Sequence, residues 1–190
     1  MMAWNCFLAF LPLVFSQCAI VNNNRQKHIW LLWALLWLIF WPNTFYMVTD
    51  VAHFTGNSFF QAIPYQSPVY STNIQLWIKA VIIITGILYG VYNGITSEMV
   101  LENGIISKYG KTKQILFRLV CSILCGIAIY IGRFLHLNSW DVFRPAKIVT
   151  AFQCPKCGGS FILSFIGVFT AFVFTTLSFA RLLNCKSENY

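Results

Sequence analysis

Residues 29–48 read IWLLWALLWLIFWPNTFYMV, a run without a single charged side chain. A helix of about 20 apolar residues spans the hydrocarbon core of a bilayer, and it satisfies its own backbone polar groups there. The sequence therefore predicts an all-α integral membrane bundle, with residues 1–190 forming a single transmembrane domain. Its five transmembrane helices are predicted at residues 2–21, 29–48, 76–95, 115–137 and 161–181.

The composition agrees with this class. Hydrophobic residues make up 58% of the chain and charged residues only 9%, whereas soluble domains carry about a quarter. The net charge of +8 does not indicate nucleic-acid binding, because the basic residues lie in short connections between apolar runs. The first run lacks a preceding basic segment and a good cleavage site, so it is interpreted as a mature helix and not as a signal peptide.

The distribution of basic residues predicts the orientation of the bundle. The 96–114 loop carries three lysines, whereas the N-terminal end and residues 49–75 carry no Lys or Arg. Basic loops favour the cytoplasmic side of a membrane, so the N-terminus is predicted outside and the C-terminus inside. The 138–160 loop, which has three basic residues on the predicted outer side, disagrees with this rule.

Several polar residues fall in or beside the apolar runs, where burial is costly and marks candidate functional positions. In the predicted orientation they share the outer half of the bundle. A buried Arg133 requires a carboxylate partner, which Asp50 or Asp141 can supply. In the simpler alternative, Arg133 reaches the headgroups and the aspartates face water. The set forms a predicted polar outer cluster for ligand binding or assembly: Asn5, Asn43, Asp50, His53, Arg133, Asn138, Ser139, Trp140 and Asp141.

Gly86, Gly90 and Gly94 recur at every fourth position of the third run. Such a stripe removes side chains from one face of a helix and predicts close packing against another helix, in the same bundle or in a dimer. Glu98 and Glu102 follow on the predicted inner side, and we interpret them as the solvated face of a short helical extension.

Residues 142–160 are predicted to form an interfacial segment with a C-x-x-C knuckle at Cys154 and Cys157. A structural zinc site needs four ligands, and the sequence has no second C-x-x-C pair. Metal binding, a disulfide and free thiols therefore stay open for this pair. Phosphate-binding loops, dinucleotide fingerprints and hydrolase or metalloprotease motifs do not occur, and no cofactor is predicted.

Two sequence blocks carry a family resemblance. Residues 132–141 read GRFLHLNSWD, and residues 42–53 read PNTFYMVTDVAH. Together with Trp4 and Asn5, these blocks resemble the bacterial family catalogued as domain of unknown function 1361, over nearly the whole chain. The resemblance implies a small multi-pass protein of the bacterial cytoplasmic membrane, and it implies no activity. The chain departs from the family at His136-Leu137, where Arg-Trp is usual, and it lacks a W-Y-D triplet after the second span.

Two functions fit these observations. The first is a non-enzymatic role as a ligand-binding protein, transporter or partner subunit, with membrane lipid, another membrane protein or a second copy of the chain as partner. The alternative is an intramembrane enzyme that acts on a lipid-linked substrate at the outer leaflet. In that case His53 or Asp50 is the general base and Arg133 holds an anionic group. The lack of a catalytic motif favours the first.

Overall fold

The computed structural model describes residues 2–54, 59–61, 69–135, 137 and 158–187. This part of the chain confirms the predicted bundle, since five of its helices are long and apolar enough to cross a membrane. These five crossings are Met2–Asn24, Trp30–Ala52, Ile74–Tyr109, Lys111–Phe134 and Gly159–Asn184. A short antiparallel strand pair, β1 (Phe60–Gln61) with β2 (Val69–Tyr70), lies between the second and third crossings.

The second crossing is broken, whereas the first is a single helix, α1 (Met2–Asn24). It consists of α2 (Trp30–Phe40), α3 (Pro42–Tyr46) and the 3₁₀-helix Met47–Phe54. Pro42 begins α3 because proline lacks the N–H that would continue the ladder of α2. The Asn43 amide donates to the Phe40 carbonyl at 2.9 Å, so a side chain supplies a donor beside the break.

The third crossing is longer than the predicted residues 76–95. Helix α4 (Ile74–Leu101) continues through a π-helical turn, Glu102–Ile106, and a 3₁₀ turn, Ser107–Tyr109. Asn73 caps its start, because the Asn73 Oδ1 accepts from the Gln75 N–H at 3.0 Å. Gly110 ends it with a φ of 93°, which favours glycine. The extension keeps residues beyond 95 inside the bundle.

Helices α5 (Lys111–Phe134) and α6 (Gly159–Ser187) form the last two crossings and pack closely against each other. Trp37, Trp41 and Phe45 of the broken second crossing lie in the core, with successive ring centroids 5.1 and 5.3 Å apart. The Trp41 indole donates to the Gly94 carbonyl of α4 at 3.0 Å. The second crossing therefore packs against α4 and the α5–α6 pair as well as against α1.

The bundle has two ends, which we name after their buried carboxylates. At the Asp50 end, α1, α4 and α6 begin and α5 ends. At the opposite Glu102 end, Arg118 near the start of α5 and Arg181 near the end of α6 both pair with Glu102. Which end faces the cytoplasm stays a prediction from the basic residues.

Candidate functional site at the Asp50 end

Asp50 lies where three membrane crossings meet. Its Oδ2 accepts a hydrogen bond from the Asn5 amide of α1 at 3.3 Å. Its Oδ1 lies 3.7 Å from Nη1 of Arg133 on α5. The Asp50 side chain is only 7% exposed and that of Arg133 is 23% exposed. A buried carboxylate is stabilised by such a cation and hydrogen-bond donor, because both offset its loss of hydration.

Arg133 is held by the segment that carries Asp50. Its Nη2 donates to the Thr49 carbonyl at 2.6 Å, and its Nη1 donates to the Tyr46 hydroxyl at 3.5 Å. The guanidinium carbon also lies 5.7 Å from the Tyr46 ring centroid, within range of a cation–π contact. A Cβ at Gly132 would lie 3.1 Å from Tyr46 Cε2, so the glycine lets the ring approach. The guanidinium is therefore fixed by groups inside the bundle.

The structure brings together three members of the predicted polar outer cluster, Asn5, Asp50 and Arg133. Asn43 lies at the Pro42 break, where its amide bonds to the backbone. The backbone of His53 belongs to the 3₁₀-helix Met47–Phe54, but its side chain is outside the described residues. The other predicted positions also lie outside the described residues: Asn138, Ser139, Trp140, Asp141, Cys154, Cys157 and most of the 142–160 segment.

An open groove of about 430 Å³ borders Asp50, and sequence reasoning did not identify it. Helix α4 forms most of its wall. Lys79 lies on α4 nearer the end of the bundle, and Ile82 and Ile83 lie about one turn deeper. The groove therefore combines two charged side chains, Asp50 and Lys79, with an apolar wall. The lining residues are Met2, Asp50, Gln75, Ile78, Lys79, Ile82 and Ile83.

The glycine stripe of α4 faces other segments of the same chain. A Cβ at Gly90 would lie 2.5 Å from the Thr44 carbonyl oxygen, and a Cβ at Gly94 would lie 2.5 Å from the Thr44 hydroxyl. A Cβ at Gly86 would lie 2.7 Å from the Met2 sulfur. The backbone of α4 thus approaches α3 directly. This contact lies next to the 3₁₀-helix that presents Asp50.

The interpretation of Glu98 and Glu102 as a solvated face is wrong, because these residues are only 1% and 0% exposed. Arg118 Nε of α5 lies 3.2 Å from Glu102 Oε2, and Arg181 Nη2 of α6 lies 3.3 Å from Glu102 Oε1. The extension of α4 packs these carboxyls against α5 and α6. The sequence signal for these buried carboxylates was Arg118 and Arg181, since an arginine within an apolar run requires a partner.

Comparison with known proteins identifies a family without assigning an activity. No curated protein and no solved structure matches the chain. The family model described as "Protein of unknown function (DUF1361)" matches residues 4–179. The match includes both sequence blocks that meet at the Asp50–Arg133 pair, and it covers most of the bundle. The chain therefore belongs to the DUF1361 family.

Proposed function

We propose that this multi-pass membrane protein has a non-enzymatic ligand-binding function and that its ligand is an anionic phospholipid held in the groove beside Asp50. The observation that carries this proposal is the two-part lining of the groove. Lys79 and Asp50 border it together with the apolar side chains of Ile78, Ile82 and Ile83. A phospholipid has the same two parts, a charged headgroup and apolar chains.

The charges around the groove support an anionic headgroup. The Asp50 carboxylate is paired with Arg133 at 3.7 Å and accepts a hydrogen bond from Asn5. Arg133 does not line the groove, but it offsets the charge of Asp50, so a negative ligand is attracted to the positive charge of Lys79. A lysine ammonium binds phosphate oxygens through charge-assisted hydrogen bonds.

The apolar wall supports a lipid as the source of that anion. Ile78 and Ile82 are about half exposed, at 52% and 53%, on a helix that crosses the membrane. An acyl chain can reach them from the bilayer without passing through water. The groove volume of about 430 Å³ falls in the roughly 300–1,000 Å³ range of ligand sites.

Lipid-dependent stabilisation of the purified full-length protein tests the proposal. The melting temperature is measured in detergent as phosphatidylglycerol or phosphatidylcholine is added. A ligand that binds only the folded state raises stability by about 2.7 kcal/mol at 100 times its Kd. We expect the melting temperature to rise more with phosphatidylglycerol than with phosphatidylcholine. This preference for phosphatidylglycerol should be weaker in Lys79→Gln. It should be unchanged in the control Lys27→Gln, which alters an exposed lysine at the Glu102 end.

A second variant tests the apolar wall of the groove separately from the charge of Lys79. Ile82→Trp fills the apolar wall and leaves Lys79 in place, and we expect it to lower the stabilisation by phosphatidylglycerol. Equal stabilisation by the two lipids in the parent protein would contradict the proposal. A full phosphatidylglycerol preference in both Lys79→Gln and Ile82→Trp would place lipid binding elsewhere on the bundle.

A further inference from the structure

A buried charge cluster at the Glu102 end is separate from the lipid groove. Glu98 lies on α4, and Glu102 begins the π turn one helical turn later, so their side chains share one face. The charged and titratable groups near Glu98 are Glu102 of the π turn, Arg118 and Cys121 of α5, and Arg181 of α6. Four ionisable side chains thus meet inside the membrane domain, in addition to the Cys121 thiol.

The two carboxyls of this cluster differ in their partners. Each carboxylate oxygen of Glu102 forms an ion pair with one guanidinium, Oε2 with Arg118 at 3.2 Å and Oε1 with Arg181 at 3.3 Å. Within the described part of the chain, Glu98 forms no ion pair, and its carboxyl lies beside that of Glu102, with which it forms a side-chain hydrogen bond. Glu98 is nevertheless 99% buried. The geometry therefore assigns the two cations to Glu102.

Two opposing effects act on the charge of Glu98. Burial of a carboxylate without a cation costs several kcal/mol, so loss of water favours the neutral acid. The cluster carries a net charge of +1 when Glu98 is neutral and zero when it is ionised, so the two guanidiniums favour the carboxylate. Because these two effects oppose each other, we expect both forms of Glu98 within the range of pH that the protein tolerates. A residue in this balance can exchange a proton.

The surrounding backbone and side chains are consistent with such a site. A π-helical turn begins at Glu102, and π turns inside α-helices occur frequently at functional sites. Two more buried polar residues lie on α4 between Glu98 and the middle of the helix. Ser97 is 0% exposed and Asn93 is 3% exposed. The Asn93 amide nitrogen is buried without a hydrogen-bond partner in the described residues. Helix α4 therefore has polar groups well inside the bundle.

We propose that Glu98 is a proton-binding site within the membrane domain. Its carboxylate takes up one proton from the aqueous face at the Glu102 end, gives a neutral carboxylic acid, and releases the proton to water again. Glu102 stays paired with Arg118 and Arg181 throughout. Ionisable residues at membrane depth are typical of proton relays and ion pathways. The site gives this protein a proton-dependent step that is independent of lipid binding.

Carbodiimide labelling tests this proposal on the full-length protein in lipid nanodiscs. Dicyclohexylcarbodiimide is apolar and reacts with protonated carboxyl groups, and peptide mass spectrometry locates the adduct. We expect an adduct on Glu98 at acidic pH, its loss at alkaline pH, and no adduct on Glu102. Glu98→Gln should abolish this adduct, whereas the control Glu188→Gln should retain it. Complete absence of a Glu98 adduct in monodisperse protein, or labelling that does not change with pH, would overturn the proposal.

Infrared spectroscopy of the parent protein gives a second test that needs no variant. The chain has three glutamates, Glu98, Glu102 and Glu188, so carbon-13 labelling of glutamate identifies their carboxyl bands. We expect a protonated-carboxyl band of a solvent-shielded glutamate that disappears as the pH rises. An unchanged spectrum between acidic and alkaline pH would show that no buried glutamate exchanges a proton.

Discussion

Arg133 Nη1 lies 3.7 Å from Asp50 Oδ1, and this ion pair joins the second and fourth membrane crossings. The two residues come from the sequence blocks 42–53 and 132–141, which carry the family resemblance. Tyr46 and Gly132 of the same blocks also contact each other. The resemblance and the packing therefore single out the same region, and the ion pair is the first contact to test.

Asp50→Asn should destabilise the protein, because the Arg133 guanidinium then stays buried without an anionic partner. Adding Arg133→Gln should recover part of this loss, since it removes the unpaired charge. For residues in direct contact, the coupling in the double-mutant cycle is about 0.5–3 kcal/mol. Equilibrium unfolding in mixed micelles measures the free energy of unfolding for the parent, both single variants and the double variant.

The matched control for this cycle replaces Asp141, the other carboxylate considered for Arg133. We expect the losses of Asp141→Asn and Arg133→Gln to add without coupling. Coupling to Asp141 in place of Asp50 would contradict the pairing of Arg133 with Asp50. Additive losses in both cycles would mean that the Asp50–Arg133 contact contributes no net stability.

Glu102→Gln should lower the free energy of unfolding more than the equally isosteric change Glu98→Gln. It removes the carboxylate that pairs with both Arg118 and Arg181, and breaking a buried pair typically costs about 3–5 kcal/mol. Glu98→Gln removes no ion pair in the described structure, so its loss of unfolding free energy should be smaller. Unfolding of the two variants under identical conditions measures the difference. Equal losses would argue against the assignment of both guanidiniums to Glu102.

The sequence predicted the helical crossings well because long apolar runs have few alternatives to membrane-spanning helices. It underestimated the third crossing, because residues 96–114 are predicted as a loop, with Glu98 and Glu102 on the solvated face of a short helical extension. The continuation of α4 through a π turn depends on packing against α5 and α6, and no local pattern reveals that packing. The charged residues at the Glu102 end were visible in the sequence, but their pairing was not.

The Asp50 site was only partly predictable for a similar reason. The long apolar runs place Asp50 and Asp141 at the same end of the bundle, so they do not distinguish between these two carboxylates as partners of Arg133. The pairing with Asp50 follows from the 3₁₀-helix Met47–Phe54, which brings Asp50 and the Thr49 carbonyl beside Arg133 of α5. The groove was missed because its wall joins residues from three separate segments.

The predicted orientation is tested with single cysteines in a cysteine-free version of the chain. Thr72 precedes α4 at the Asp50 end, and Ser107 lies in the 3₁₀ turn at the Glu102 end; both are exposed. A membrane-impermeant maleimide applied to intact cells should label Thr72→Cys and should label Ser107→Cys only after the cells are opened. The reverse pattern would invert the topology and would place the Asp50 site at the cytoplasmic face.

Gly90→Leu should lower the stability of the folded bundle by preventing the close approach of α4 to α3. Even a Cβ at this position would lie 2.5 Å from the backbone carbonyl oxygen of Thr44, which cannot move without shifting α3. Overpacking of this kind costs about 1–3 kcal/mol, and displacement of α3 would also disturb the adjoining 3₁₀-helix that carries Asp50. The measurements are the yield of monodisperse protein and its melting temperature.

Gly167→Leu on α6 is the matched control for this substitution. A Cβ at Gly167 has no atom within 4 Å, so the larger side chain can extend into open space on a helix of similar length. We expect this variant to accumulate and melt like the parent, whereas Gly90→Leu should not. If the two variants behave alike, the tight contact between Gly90 and Thr44 does not limit the packing of α4, and the position of Asp50 must depend on its ion pair with Arg133 instead.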